Sequence, residues 1–209
     1  MTPASRPFRV AVLLSGEGTS LENLFEQIES GKVPAEVAVV VSSKPGAGGL
    51  ARAERRDVPA HAVSRKQHSD VDEFNDRLHE ILGTHEIDLV LLLGFLSPFQ
   101  GRGKYDGRVL NVHPALIPAF SGQGFYGRRV HEAVLARGCK VSGATVHICD
   151  DQYDHGPIVL QEAVPVREDD DADRLAERVQ AAERRLVPEA VRLFAEGRVE
   201  VEGSRVRIR

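Results

Sequence analysis

The chain of 209 residues has little of several residue types: it contains no tryptophan, one methionine, two cysteines, three asparagines and five lysines. The cysteines, Cys139 and Cys149, are ten positions apart and form no CxxC pair, so a zinc or redox site is not indicated. Reduced, buried thiols in a cytoplasmic protein are the expected state of both. Because asparagine is rare here, Asn111 stands out, and it belongs to a motif described below.

The chain also lacks a strong excess of either charge and any long hydrophobic run. Its 27 basic and 31 acidic side chains give a net charge of −4, which argues against a dedicated nucleic-acid binder. No apolar run approaches the roughly 20 residues of a membrane-spanning helix, and the N-terminus has no apolar signal core. We therefore expect a folded cytoplasmic protein with neither a nucleic-acid nor a membrane partner.

The first half of the chain alternates short aliphatic runs with stretches of helical periodicity. The runs predict buried strands at 8–14, 37–41, 61–63 and 89–95. Between them, apolar residues recur at helical spacing, as from Leu21 to Ile28 and from Val71 to Leu82. Strands that are apolar on both sides, separated by helices, predict a parallel sheet covered by helices on both faces.

The second half has a different pattern. A strand at 109–112 and a helix at 127–136 precede two longer alternating strands, 141–149 and 158–166, which favour antiparallel pairing. A helix follows from Leu175, and Pro188 either kinks it or starts a new helix. A hairpin is expected over 199–201 and 206–208. The fold class predicted is α/β and Rossmann-like, with a parallel N-terminal half of the sheet continuing into a mixed C-terminal half.

Three segments contain residues suited to chemistry. The first is SGEGTS, from Ser15 to Ser20, directly after the first strand. Its glycines and the start of the next helix suit an anion, but it lacks the third glycine of a dinucleotide fingerprint and the Lys-Ser/Thr of a P-loop. A plain strand-to-helix turn fits as well as a phosphate site. Glu17 would repel a phosphate, so we expect its side chain to point to solvent.

The second segment is NVHP, 111–114, at the carboxyl end of a predicted strand, where open α/β sheets bind ligands. Asn111 and His113 project from the same side of an extended chain. An amide donor beside an imidazole suits acyl transfer, because one polarises a carbonyl oxygen while the other moves protons or stabilises the oxyanion. A buried structural histidine is the alternative interpretation.

The third segment is DDQYDHGP, 150–157. A carboxylate from this loop that reached His113 would hold its tautomer and favour its charged form. The alternatives are a solvated acidic turn and a metal site, although the spacing fits no standard ligand pattern. The remaining histidines are expected to be surface or packing residues: His61, His68, His79, His85, His131 and His147.

These segments occur in a familiar order. SGEGTS, LLLGF, LNVHPALIPAFSG, VSGATVHICDDQYDHGPIVLQEAVPV and RVQAAE together resemble the phosphoribosylglycinamide formyltransferase family of the purine pathway, from about residue 8 to 199. The resemblance implies the formyltransferase fold and one domain over 1–209. It also implies a phosphate-binding half at 8–105 and a catalytic and folate-binding half at 106–209.

The resemblance implies a role for each matching residue. Asn111 would bind the formyl oxygen, His113 would be the catalytic acid, and Asp154 would raise the affinity of His113 for its proton. The ribonucleotide would be bound by Gly18, Thr19, Ser20, Gln180 and Glu183. The co-substrate, 10-formyltetrahydrofolate, would contact Phe95, Leu96, Asn111, Asp150, Asp151, Gln152, Tyr153 and Asp154. No metal is implied, and the partners would be small molecules bound by a monomer or homodimer.

The chain departs from the family pattern in three places. Glu17 and Ser20 stand where asparagine is common, Val71 falls where many members have a basic residue, and the loop after Phe95 is two residues shorter. The alternatives are formyltetrahydrofolate deformylase, methionyl-tRNA formyltransferase, a metal-dependent hydrolase and a non-catalytic folate- or phosphate-binding module. The two formyl-group relatives normally carry an additional domain, for which we expect no room in 209 residues.

Overall fold

The fold alternates strands and helices over most of its length. A computed structural model describes residues 6–150 and 152–209. The strands are β1 (Phe8–Leu14), β2 (Ala35–Ser42), β3 (Ala60–Ala62), β4 (Leu89–Leu93), β5 (Val109–His113), β6 (Val141–Ile148), β7 (Ile158–Pro165), β8 (Val199–Glu202) and β9 (Arg205–Ile208). The helices are α1 (Thr19–Glu29), α2 (Gly48–Glu54), α3 (Val71–Gly83), α4 (Arg128–Arg137) and α5 (Ala172–Ala195), with a 3₁₀ turn at Arg65–Gln67.

Seven strands form one sheet in the order β3-β2-β1-β4-β5-β6-β7. The pairs from β3 to β5 are all parallel. The pairs β5–β6 and β6–β7 are antiparallel. The predicted change from a parallel to a mixed sheet is therefore confirmed, and it occurs at β5, the strand that carries NVH. The predicted terminal hairpin is also present, as β8 and β9.

Each face of the sheet has its own hydrophobic core. Because side chains alternate along a strand, Val12 and Leu14 pack in the core that includes residues of α1 and α5. Leu13 of the same strand packs in the other core with Phe74 and Leu78 of α3. Both faces of the parallel half are thus covered, as the uninterrupted aliphatic strands require.

Most predicted boundaries differ from the structure by one or two residues, and two of the differences have a clear physical cause. Strand β4 ends at Leu93 and not at residue 95, because Gly94 has φ +69° and turns the chain out of the sheet. Helix α5 continues through Pro188, so no new helix starts there. Proline removes one helical hydrogen bond, but buried Val187 and Val191 on either side hold the helix against the sheet.

Within the part of the chain that the structure describes, no helix is both long enough and apolar enough to cross a membrane.

Candidate active site

The loops after β1 and β4 meet at the edge of the sheet. These strands are neighbours in the sheet, but the chain continues from β1 to β2 on one side and from β4 to β5 on the other side. In α/β folds, such a switch point opens a crevice that binds ligands. The Leu96 N–H donates to Ser15 Oγ over 2.9 Å. Ser15 and Ser43 also share a hydrogen bond of 2.5 Å between their hydroxyls. SGEGTS and the segment after Gly94 thus lie side by side.

SGEGTS forms a turn with unpaired N–H groups at the start of α1. Gly18 precedes the helix in a left-handed conformation with φ +73°, and no described side chain caps the helix start. The first N–H groups of a helix have no partner within it, so Thr19 and Ser20 offer donors to an anion. We call residues 16–20 the anion loop.

The side chain of Glu17, although part of the anion loop, lies beside the start of α2. A Cβ atom placed on Gly48 would lie 2.5 Å from Glu17 Oε2, so the carboxylate runs along the start of α2. Glu17 is exposed, as expected of a side chain that points to solvent, although its carboxylate lies beside Gly48. The loop itself is pressed against α2, because a Cβ on Gly18 would lie 2.6 Å from the Gly49 Cα.

Asp154 joins the two residues of the NVH motif. The Asn111 Nδ2 group donates to Asp154 Oδ1 over 3.3 Å, and His113 Nδ1 lies 3.4 Å from Asp154 Oδ2. The Gly122 N–H donates to Asp154 Oδ2 over 2.9 Å. The structure therefore brings together the amide, the imidazole and the carboxylate that the sequence singled out.

His147 belongs to the same cluster, and the expectation that it has only a surface or packing role is wrong. Its Nε2 lies 3.1 Å from Asn111 Nδ2 and 3.5 Å from Asp154 Oδ1. Its Nδ1 is 3.1 Å from the Ile148 carbonyl oxygen. In the sheet, His147 pairs directly with Asn111, so both side chains project from one face. The register of β5 against β6 is the signal that would have found it.

The Asn111 Nδ2 group and both ring nitrogens of His113 have partners within the protein. Asn111 Nδ2 contacts Asp154 and His147. The His113 Nε2–H donates to the Phe120 carbonyl over 2.8 Å while Nδ1 faces Asp154. A substrate that accepts a hydrogen bond from Asn111 Nδ2 or from His113 must therefore replace one of these contacts.

Burial sets the protonation state of His113. Desolvation lowers the pKa of His113, and the pull of Asp154 and the Phe120 carbonyl in the opposite direction does not overcome it. Asp154 favours the charged imidazole, as expected, but the ring by itself is neutral near pH 7. Burial would raise the pKa of Asp154, yet hydrogen bonds from His147 and the Gly122 N–H lower it overall.

The residues assigned to folate differ in exposure. Leu96 and Tyr153 are 58% and 69% exposed, and Gln152 is exposed as well. The Phe95 ring stacks on Phe74 with centroids 6.4 Å apart, so its side chain packs against the core on the α3 face. Of Phe95 and Leu96, only Leu96 therefore exposes its apolar side chain to solvent.

The acidic loop is held by contacts within itself. Asp150 accepts hydrogen bonds from the Gln152 N–H at 2.9 Å and from His155 Nδ1 at 2.8 Å. Asp151 lies outside the described residues. In residues 6–150 and 152–209, no group of three or more His, Cys, Asp or Glu side chains is arranged to hold a metal ion.

Gln180 and Glu183 lie on α5, which packs against α1. Glu183 occupies the stripe of α5 that otherwise buries Val179 and Val187, and it is partly exposed there. Burial raises the pKa of Glu183 to about 7, and Arg184 opposes this only weakly. No described side chain forms an ion pair with it, so this carboxylate is available to a basic or hydrogen-bond-donating ligand.

The sequence was compared with known protein families and curated proteins. A family model described as formyl transferase matches residues 8–191. The trifunctional purine biosynthetic protein adenosine-3 of Gallus gallus is 40% identical over 195 residues, which are 92% of this chain and 19% of that protein. This chain thus spans about a fifth of that relative's length. Phosphoribosylglycinamide formyltransferase of Haemophilus influenzae is 32% identical over 198 residues, or 94% of this chain and 91% of that protein.

Solved structures were compared in the same way. Glycinamide ribonucleotide transformylase 1 from Symbiobacterium toebii superposes with a TM-score of 0.91 at 41% identity. The match covers 97% of this chain and 94% of that one.

Proposed function

The chain belongs to the formyl transferase family, and we propose that it transfers the formyl group of 10-formyltetrahydrofolate to the amine of 5′-phosphoribosylglycinamide. The observation that carries the proposal is the Asp154 carboxylate, which contacts Asn111 and His113 at once. The Haemophilus influenzae relative is named for this activity, and the match covers 91% of its length.

In the proposed reaction, the substrate amine is the nucleophile, so the protein needs no nucleophile of its own. The amine attacks the formyl carbon, and the oxygen of the resulting tetrahedral intermediate becomes negatively charged. Asn111 donates a hydrogen bond to that oxygen in exchange for its 3.3 Å contact with Asp154. The leaving folate nitrogen takes up the proton that the amine loses, directly or through water, as the carbon–nitrogen bond breaks.

His113 supports the intermediate through its charge. The ring is neutral by itself because of burial, but a developing oxyanion nearby favours the imidazolium. As the amine gives up its proton, directly or through water, His113 Nδ1 takes it up, and the Nδ1–H so formed pairs with the ionised Asp154 before the proton passes to the leaving folate nitrogen. Asp154 thereby makes the charged state of a buried histidine attainable during the reaction.

The substrate is proposed to bind by its two ends. The anion loop receives the phosphate with the N–H groups and hydroxyls of Thr19 and Ser20. Glu183, with Gln180 one turn away, receives the ribose and amine end, since no side chain of residues 6–150 and 152–209 forms an ion pair with its carboxyl that a substrate would have to displace. The exposed Leu96 and Tyr153 and the acidic loop line the folate side.

The test is a spectrophotometric assay of formyltetrahydrofolate turnover with and without the ribonucleotide. We expect His113→Ala and Asp154→Asn to lower kcat by at least about 100-fold and to change the Kd of the ribonucleotide by less than about threefold. His61→Asn, on the edge strand β3, is the matched control and keeps normal turnover.

The same assay separates the alternatives. Near-normal kcat in either variant would refute the assigned roles. Turnover that needs no ribonucleotide would instead identify a deformylase. Binding of the ribonucleotide and folate without turnover would identify a non-catalytic module.

We further propose that the reaction proceeds without a metal ion in a cytoplasmic monomer or homodimer. Dialysis against a chelator is expected to leave kcat unchanged, and activity that is lost and then restored by a divalent cation would contradict this. Light scattering of the active fraction gives the oligomeric state, and a mass above that of a dimer would exclude both forms.

A further inference from the structure

Arg52 of α2 contacts the anion loop from outside. Its Nε–H donates to the Glu17 carbonyl oxygen over 2.7 Å, and its Nη1 donates to Glu22 Oε2 over 2.9 Å. One guanidinium therefore bridges the peptide that precedes Gly18 and the first turn of α1. Such charge-assisted hydrogen bonds are short and strong.

The contact with the Glu17 carbonyl sets the direction of the next N–H group. The Glu17–Gly18 peptide is trans, and in a trans peptide the C=O and the following N–H point in opposite directions. Because Arg52 holds the Glu17 oxygen on the α2 side, the Gly18 N–H points away from α2. It therefore extends the row of N–H groups at the start of α1 by one donor.

Neighbouring contacts keep Arg52 in place. Glu22 is shared with Arg56, whose Nη2 donates to Glu22 Oε1 over 2.6 Å. Arg56 also donates to Glu29 over 2.7 Å and lies over the Phe25 ring. Both arginines thus join α2 to α1 through Glu22, but only Arg52 touches the anion loop. This difference gives a matched pair of variants.

We propose that Arg52 is a positioning residue for phosphate binding, because it fixes the Glu17–Gly18 peptide so that the Gly18 N–H faces the anion. The proposal rests on the proposed function insofar as the anion is the ribonucleotide phosphate. Arg52 acts through the peptide and does not touch the substrate.

The kinetic test uses Arg52→Met, Arg52→Lys and Arg56→Met. Arg52→Met is expected to raise the KM for the ribonucleotide about tenfold with kcat within about twofold. Arg52→Lys retains a donor for one contact and is expected to recover part of the loss. Arg56→Met breaks the same α1–α2 connection and is expected to leave the KM within about twofold.

A second measurement separates a local role from a structural one. For the ribonucleoside that lacks the phosphate, wild type and Arg52→Met are expected to have the same KM. A general distortion of α1 and α2 would raise the KM for both substrates and for Arg56→Met as well. A higher KM of Arg52→Met for the ribonucleoside, or a higher KM of Arg56→Met for the ribonucleotide, would overturn the proposal.

The third measurement does not depend on formyl transfer. Inorganic phosphate is titrated into ¹⁵N-labelled protein, and the amide signals of residues 18–20 are followed. We expect saturable shifts in wild type and Arg56→Met, with the affinity at least about fivefold weaker in Arg52→Met. No shift in wild type, or equal affinities in all three proteins, would refute the role of Arg52. Normal phosphate results without turnover would refute the proposed function alone.

Discussion

At the scale of single residues, the site depends on one carboxylate that serves several partners. Asp154 has φ +54° and accepts the Gly122 N–H while facing His113, His147 and Asn111. Its low pKa follows from these donors, and it keeps a negative charge beside two buried imidazoles. A buried network of this kind is rigid only when each member has its partners. Replacing any one of them therefore affects the others.

Glu183 shows how burial of a carboxyl lowers the stability of the folded chain at neutral and higher pH. A carboxyl whose pKa is raised to about 7 by burial binds more protons folded than unfolded between about pH 4.5 and 7. Its contribution to stability is fully present below pH 4.5 and is lost as the pH rises through 7.

We therefore predict that Glu183→Gln is more stable than wild type at pH 8, by about 1–2 kcal/mol. The advantage is expected to disappear at pH 5, and urea unfolding at the two pH values measures it. Glu177→Gln, at an exposed position of the same helix, is the control and should show no such change. A Glu183→Gln protein that is less stable at pH 8 would contradict the prediction.

At the scale of elements, helix α5 is fastened at its start by two aspartates. Asp171 caps the helix by accepting the Arg174 N–H over 2.8 Å. Asp170, with a side chain 1% exposed, pairs with Arg178 through hydrogen bonds of 2.7 and 2.8 Å. The bidentate pair with Arg178 lowers the pKa of Asp170 to about 2. The loop before α5 is thereby tied to the helix that carries Gln180 and Glu183.

We predict that Asp170→Asn lowers the free energy of unfolding at pH 7 by about 2 kcal/mol, because it leaves a partly buried guanidinium without its charge partner. The stabilisation from Asp170 is present above about pH 4 and is lost as the pH falls towards 2. Thermal unfolding measures the effect. Asp169→Asn, whose exposed carboxylate lies 3.3 Å from Arg174, should change it by less than about 0.5 kcal/mol. Equal losses in the two variants would refute the prediction.

At the scale of the whole molecule, three fully or partly buried histidines act together on stability. Burial lowers the pKa of His85, His113 and His131, and His131 Nδ1 has no hydrogen-bond partner among the described residues. A neutral buried imidazole binds fewer protons than the same group in the unfolded chain. These three imidazoles therefore reduce the free energy of unfolding as the pH falls below about 6.5, while Glu183 acts in the opposite direction.

We predict that these histidines reduce the stability of wild type between pH 7.5 and 5.5, by up to about 1.4 kcal/mol per pH unit for each imidazole that stays neutral when folded, against the opposite contribution of Glu183. His131→Leu removes one of these groups and should lose less over the same range. Urea midpoints at both pH values give the comparison. Identical pH slopes in the two proteins would show that His131 takes no part.

Most strands and helices, and two of the polar segments, could be predicted from the spacing and types of neighbouring residues. The aliphatic runs predicted β1 and β5, and the alternation in the second half predicted the antiparallel pairs, because strand burial is encoded by side-chain period. NVH and the acidic loop were identified from residue types alone. The predicted ends of strands were less accurate where the conformation of one residue ends the strand. Gly94 is an example, because its positive φ ends β4 before Phe95.

The sequence by itself determined the fold class, the family resemblance and the three segments that hold the polar residues, since each depends on periodicity or on a short motif. Only the tertiary structure decided that His147 joins Asn111 and Asp154, that burial keeps His113 neutral, and that Arg52 reaches the Glu17 carbonyl. These contacts join residues 30 or more positions apart. Strand register, helix packing and desolvation create them, and no short stretch of sequence encodes any of the three.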